Sequence, residues 1–226
     1  MDIKKNISEI RSSIPDGVKL VAVSKFHPAE TVQKAYDAGQ RIFGESRVQE
    51  IAAKQTMLPA DIEWHFIGTL QKNKVKYIAP FISMIQSVDS IKLLQEIDRQ
   101  AEKCNRKIRV LIEVHIAEEE SKHGFSPDEC AELFTNKIQE NYPNIQVCGL
   151  MGMATFTDNS EQVAREFAKL QSLFVKIKSK PEIDKFMFTE LSMGMSDDYK
   201  IAVEKGSTIV RIGTAIFGTR KKTFAN

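Results

Sequence analysis

The sequence has little cysteine, almost no net charge and no long apolar run, and each shortage removes a class of protein. Cys104, Cys130 and Cys148 are odd in number, far apart and without a C-x-x-C pair. That is the pattern of reduced thiols, and it argues against a disulfide framework or a structural zinc site. The 4 histidines show no ligand spacing, so no metal is expected. With 32 basic against 30 acidic residues the net charge is +2, too mild to predict a nucleic-acid partner. Nowhere do 18 apolar residues follow one another, and the opening MDIKKNISEI has no apolar stretch before a cleavage site. Neither a membrane span nor a signal peptide is expected, and the reading is a cytoplasmic protein. No linker or low-complexity stretch divides the 226 residues, so a single domain over 1–226 is expected.

What is present is an alternation. Short β-branched and apolar runs, each followed by a longer amphipathic stretch, recur from end to end. The candidate strands are 19–24, 41–45, 63–68, 83–88, 109–116, 146–151, 186–192 and 207–213. Between them, PAETVQKAYDAG places Pro28 in a first turn and Gly39 at a stop; DSIKLLQEIDRQAEKC opens on a capping aspartate; SPDECAELFTNKIQEN opens on Ser126 and Pro127. Strict alternation implies parallel strands under covering helices, and eight such units point to a closed (β/α)8 TIM-type barrel, an α/β fold. A further helix over about residues 2–13 is predicted to plug or flank the barrel bottom.

In such a barrel the chemistry sits where strands end. The first strand exits at Ser24 and Lys25, the seventh at Ser192-Met193-Gly194, the eighth at Gly213-Thr214. The last two loops fall where this architecture commonly holds phosphate: Gly194 and Gly213 permit close backbone approach, and Ser192 and Thr214 add hydroxyl donors, a reading favoured over plain turn glycines and helix caps. Ser196 reads more simply as the cap of a helix starting at Asp197. Arg211 shares a strand face with Ile209 and Gly213, and a guanidinium there needs an acceptor: Glu45, Glu190 or Glu113 in a structural ion pair, or a ligand. Lys25 is open to two readings. Snorkelling at a strand end is the common fate of a lysine. In a barrel mouth beside cations, however, a lowered pKa would give the neutral amine that attacks a carbonyl. Phosphate site plus amine suggests a phosphorylated aldehyde as ligand.

Sugar-phosphate aldolases and pyridoxal 5'-phosphate proteins both use that pair, and the motifs choose between them. LVAVSK (20–25), FGE with VQE (43–50), WHFIGTLQKNK (64–74), SKHGF (121–125), GLMGMA (149–154), ELSMGMSDDY (190–199) and RIGTAIFG (211–218) span nearly the whole chain. Together they resemble the pyridoxal phosphate homeostasis proteins, single-barrel relatives of the N-terminal domain of alanine racemase. The resemblance implies pyridoxal 5'-phosphate as cofactor, Lys25 as the aldimine (Schiff-base) lysine, Ser192 to Gly194 with Gly213 and Thr214 on the phosphate, and Arg211 at the pyridine nitrogen. The family usually reads FGEN where this chain has Gly44-Glu45-Ser46, so the contact expected of that asparagine falls to Ser46 or to water.

An arginine at the pyridine nitrogen disfavours its protonation and weakens the ring as a carbanion sink. In resembling racemases a second acid/base, a tyrosine, comes from an additional C-terminal domain, and the chain ending at Asn226 is not expected to supply it. The leading reading is a carrier or store in vitamin B6 homeostasis with apo-enzyme recipients; weak racemase-type activity is the alternative, a Schiff-base aldolase the less favoured one. Other residues carry bland readings beside sharper ones. QKNKVKY (71–77) is a solvated face before it is a second phosphate site or a recipient surface. His65 is as readily a hydrogen-bonded core histidine as a cofactor contact. Lys122, after three glutamates, is weighed as a second amine. Met151, Met153, Met193 and Met195 are core filler first, and Tyr199 is placed facing solvent. Evenly amphipathic helices with no apolar patch lead to the expectation of a monomer.

Overall fold

The structure is a computed structural model that describes residues 2–118 and 123–218. Eight parallel strands close in sequence order into a barrel: β1 Lys19–Val23, β2 Ile42–Glu45, β3 Glu63–Phe66, β4 Met84–Val88, β5 Ile108–Glu113, β6 Ile145–Met151, β7 Glu190–Ser192 and β8 Ile209–Ile212. The helices are α1 Ile3–Ser13, α2 Ala29–Asp37, α3 Val48–Met57, α4 Val75–Ile78, α5 Ile91–Lys103, α6 Pro127–Thr135, α7 Ile138–Asn141, α8 Ser160–Lys178, α9 Tyr199–Glu204 and α10 Thr214–Phe217.

Strand periodicity separates two apolar regions. Outward side chains such as Leu20, Ala22, Phe43, Trp64, Val110 and Val210 meet the helices in one large cluster. Inward ones, Val21, Met84, Leu111, Cys148, Met151 and Ile209, fill the lumen. The floor beneath is ionic: Glu190 is paired with Lys19 and, at 3.3 Å, with Arg109. A plugged floor and a filled middle leave only the upper lumen for a ligand, at the C-terminal ends of the strands.

Several boundaries differ from the sequence reading. Helix α1 flanks the barrel and does not plug it. It buries Ile3, Ile7 and Ile10 between α2 and α10, and Asn6 Nδ2 donates to the Ile216 carbonyl at 2.9 Å. Helix α5 is capped by Ser90, whose Oγ accepts from Leu93 N–H, and not by Asp89. The stretch 126–141 forms two helices. Lys137 turns left-handed at φ 55°, and Gln139 ties α7 to β6 through the Ile145 carbonyl and Val147 N–H. Strand β7 is shorter than expected because 186–188 wrap around Asp184, which accepts from Phe186, Met187 and Phe188 N–H. Where β6 shifts register against β5, Gly149 adopts φ +153° with its Cα so close to β7 that an added Cβ would stand 1.7 Å from the Glu190 carbonyl.

Candidate functional site

Lys25 follows β1 in a tight turn closed by His27 N–H on the Ser24 carbonyl at 3.1 Å, with Phe26 left-handed at φ 68°. The lysine is half-buried. Beneath the turn lies an ionic cluster that sequence reasoning missed. Lys54 Nζ donates to the Ser24 carbonyl (2.8 Å), Glu45 Oε1 (2.6 Å) and Glu50 Oε1 (2.7 Å), while Glu50 Oε1 also accepts from Phe26 N–H at 2.6 Å. Burial raises the Glu45 pKa, with Lys54 opposing. A signal for it existed: Val48, Ile51 and Lys54 share the buried stripe of α3, an odd place for a lysine without carboxylates.

Across the upper lumen runs a chain of buried polar groups from four strands. Arg211 Nη1 donates to Ser192 Oγ at 2.6 Å, Ser192 Oγ donates to Gln86 Oε1 at 2.7 Å, and Gln86 Nε2 meets His65 Nδ1 at 2.8 Å. Because the Gln86 oxygen is occupied by Ser192, its amide nitrogen must donate to Nδ1, which puts the imidazole proton on Nε2. Burial, helped by Arg109 and Lys19, lowers the His65 pKa to about 3, so the ring is neutral. Nε2 is buried and has no partner among the described residues. His65 is thus the hydrogen-bonded histidine that the sequence allowed, with one donor still unspent.

Among the described residues Arg211 forms no direct ion pair with any of the three carboxylates proposed for it. Glu190 belongs to the ionic floor, Glu45 lies outside the barrel against α3, and Glu113 forms no ion pair among the described residues. Among the described residues the guanidinium has, besides Ser192, only the Gly152 carbonyl, at 3.1 Å, although it is 4% exposed. Burial lowers its pKa to about 10, partly offset by Asp198 and Glu113, and it remains a cation. Glu113 ends β5, the strand opposite β1 in the closed order, and alternation with Arg109 and Leu111 turns it inward. Burial and then Asp89 raise its pKa to about 7, against Arg211 and His123.

At the rim, Gly194 stands at φ +94° where a Cβ would meet Ala202 Cβ at 2.6 Å, and its carbonyl accepts from Arg211 N–H at 2.9 Å. Gly213 is pressed against Val23, and Thr214 opens α10 with its first amides free of intrahelical partners. Met193 points outward into the helix-facing cluster, so only its backbone faces the rim. Ser192 stands deeper, its hydroxyl engaged by Gln86 and Arg211. Helix α9 begins at Tyr199, not at Asp197, and Asp198, not Ser196, binds the turn by accepting from Met195 N–H. Met151 fills the lumen and Met195 is exposed at the mouth. Ser46, half-buried at the exit of β2, crowds Gly68, where a Cβ would meet its carbonyl at 2.7 Å. The run 71–77 is mostly exposed, with Lys74 and Lys76 beside the Tyr77 ring. Lys122 lies outside the described residues.

Known proteins are similar to this chain in sequence and fold. Residues 1–221 match the family described as alanine racemase, N-terminal domain. A pyridoxal phosphate homeostasis protein of Aquifex aeolicus is 42% identical over 90% of this chain and 87% of its own. The chain belongs to the pyridoxal phosphate homeostasis protein family. PipY of Synechococcus elongatus, solved with pyridoxal phosphate bound, superposes with a TM-score of 0.85 at 36% identity, over 96% of this chain and 100% of that one. An alanine racemase of Clostridium difficile shares the fold at a TM-score of 0.76 and 14% identity, the match covering 98% of this chain and 61% of the racemase. The membership bears out the barrel and the family resemblance. No helix among the described residues is long and apolar enough to cross a membrane.

Proposed function

We propose that this protein binds pyridoxal 5'-phosphate in the upper lumen, held covalently through Lys25, and serves intracellular vitamin B6 homeostasis as a carrier or store without substrate turnover. Pyridoxal phosphate supplies an aldehyde that primary amines capture reversibly and a ring that withdraws electrons. The observation that carries the reading is Arg211: a buried guanidinium with two hydrogen bonds and no direct ion pair among the described residues, Asp198 and Glu113 acting on it only through space, has donors to spare for an acceptor that a ligand would bring. A pyridine nitrogen suits that place, and the unpartnered His65 Nε2 offers a second donor in the same lumen.

On this reading Lys25 is the amine that bonds to the aldehyde carbon. Gly194, Gly213 and Thr214, with the Met193 backbone, receive the phosphate. Ser192 orients Arg211, and Ser46 lines the wall where β2 exits. The bound form found in PipY supports the ligand, and the name shared by the relatives supports the homeostatic role. The recipients are apo-enzymes that require the cofactor, and the protein acts as a cytoplasmic monomer; neither nucleic acid nor a membrane is needed.

The test is a visible absorption spectrum of full-length protein with added pyridoxal phosphate, followed by borohydride reduction and peptide mass mapping. Lys25→Ala is expected to keep the fold, since a half-buried strand-end lysine adds little to the core, and to lose the trapped adduct entirely. An adduct of undiminished yield on any other lysine would remove Lys25 from its role.

A further inference from the structure

The turn that carries Lys25 is tied to a helix it does not belong to. It opens α2, yet the peptide groups on both sides of Lys25 are bonded to side chains of α3. Phe26 N–H donates to Glu50 Oε1 at 2.6 Å, and the Ser24 carbonyl accepts from Lys54 Nζ at 2.8 Å. The two anchors are joined to each other at 2.7 Å and to Glu45 at 2.6 Å. All three protons of the Lys54 ammonium are thereby spent. The Lys54 side chain is 6% exposed, so this is not the screened surface ion pair whose worth is small. From outside, the Arg47 guanidinium covers the Phe26 ring at 4.4 Å.

Such an arrangement has a physical task. Phe26 at φ 68° occupies the left-handed region, which is strained for a residue with a Cβ. An isolated turn of this sequence would relax, and relaxation would swing the peptide planes that set the Cα–Cβ direction of Lys25. A lysine side chain has many rotamers beyond Cβ. The backbone therefore decides which way the amine starts, and the side chain cannot recover from a wrong start without losing reach. A glycine at position 26 would adopt the conformation freely but would also leave it freely.

We propose that Glu50, backed by Lys54, is a positioning residue for the Lys25 amine: it fixes the peptide groups on either side and so aims the side chain into the barrel mouth. The assignment deepens the proposed function and rests on it.

The experiment compares Glu50→Ala and Glu50→Gln in the full chain. Glu50 is the right residue to change because its side chain is 19% exposed and water can take its place beside Lys54. Removing Lys54 instead would strand Glu45, whose buried Oε2 already lacks a partner. Two quantities are read: hydrogen exchange of the amides in 24–27 without cofactor, and the rate of Lys25 capture by pyridoxal phosphate, quenched with borohydride and mapped by mass. Glu50→Ala is expected to speed the exchange and to slow capture about tenfold, a fraction of what a misplacement of about 1 Å can do. Glu50→Gln keeps a carbonyl oxygen for Phe26 N–H and is expected within about twofold of wild type on both. Wild-type exchange and capture in Glu50→Ala would overturn the assignment, as would Glu50→Gln behaving like Glu50→Ala. If Glu50→Ala does not fold, Glu50→Ser, too short to reach Phe26 yet polar beside Lys54, is read the same way. If wild type itself shows no capture at Lys25, the functional reading fails. Exchange at 24–27 then decides the clamp alone, and no change there refutes it.

Discussion

Glu113 gives the upper lumen a signature in stability that can be worked out beforehand. Its carboxyl is raised from 4.5 to about 7, chiefly by burial, so the folded state holds a proton that the unfolded chain releases earlier. Stability from this group is therefore fully present below pH 4.5 and is lost as the pH rises towards 7. At about 1.36 kcal/mol per pH unit the loss is about 3 kcal/mol. His65 works in the opposite sense. Lowered from 6.5 to about 3, it withholds a proton that the unfolded chain accepts, so its contribution rises with pH up to 6.5. Between 4.5 and 6.5 the two nearly cancel. Glu113→Gln, a neutral isostere, leaves the histidine uncompensated. Thermal unfolding of cofactor-free wild type and variant from pH 4.5 to 8 is expected to show the variant gaining on wild type by about 3 kcal/mol across the range. At about 2–4 °C per kcal/mol for a chain of this size, that is roughly 6–12 °C in melting temperature. Parallel curves would show that Glu113 is solvated or paired, and would refute a dry upper lumen.

Three other outcomes follow from the same geometry. Gly149→Ala is expected to abolish soluble barrel, because a Cβ would stand 1.7 Å from the Glu190 carbonyl; a cooperative melt near wild type would contradict the pairing of Gly149 with Glu190 across β6 and β7. Pyridoxal without its phosphate is expected to bind more weakly than pyridoxal phosphate, by about 1.5–3 kcal/mol for each charged hydrogen bond lost at Gly213 and Thr214; equal affinity in an equilibrium titration would remove the phosphate site from that rim. Cofactor-loaded protein is expected to racemise alanine far below the roughly 1 to 1,000 per second typical of enzymes, measured by chiral chromatography; a rate inside that range, lost in Lys25→Ala, would make the protein an enzyme.

Lys25 and Arg211 could be picked out in the sequence because each is a charge where an apolar strand should be, and strand parity placed Arg211 inside. The ends of elements were less legible. Lys137 interrupts a convincing helical pattern only because Gln139 finds backbone partners on β6, a tertiary contact that periodicity cannot contain. The chain from Arg211 through Ser192 and Gln86 to His65 joins β8, β7, β4 and β3. Its members sit at ordinary strand positions and become partners through barrel closure, which sets the stagger between strands far apart in sequence. The same closure, not any local feature, left Arg211 without a direct ion pair, among the described residues, to the carboxylates that the sequence offered it.

Carrier and enzyme differ in what faces Lys25 across the lumen. Exchanging a proton between two faces of a planar centre needs a group on each, and a tyrosine would be the natural second one. All 4 tyrosines can be placed. Tyr36 donates to Asp61 and Tyr77 is exposed. Tyr142 packs into the helix-facing cluster, and Tyr199 pairs its hydroxyl with Ser13 on α1. None enters the lumen. Glu113 does, on the strand opposite β1, and its carboxyl, raised to about 7, can hold a proton near neutral pH. A proton donor alone does not make a racemase, because the centre must first lose its proton, and the electron pair left behind needs a sink. On the proposed reading a pyridine nitrogen would face Arg211, a cation that burial brings only to about 10, and would be kept from protonation at neutral pH, so that it would draw that pair weakly. On the proposed reading the barrel would hold the amine-reactive group while withholding the electronic assistance that turnover requires, which is the combination a reversible carrier needs.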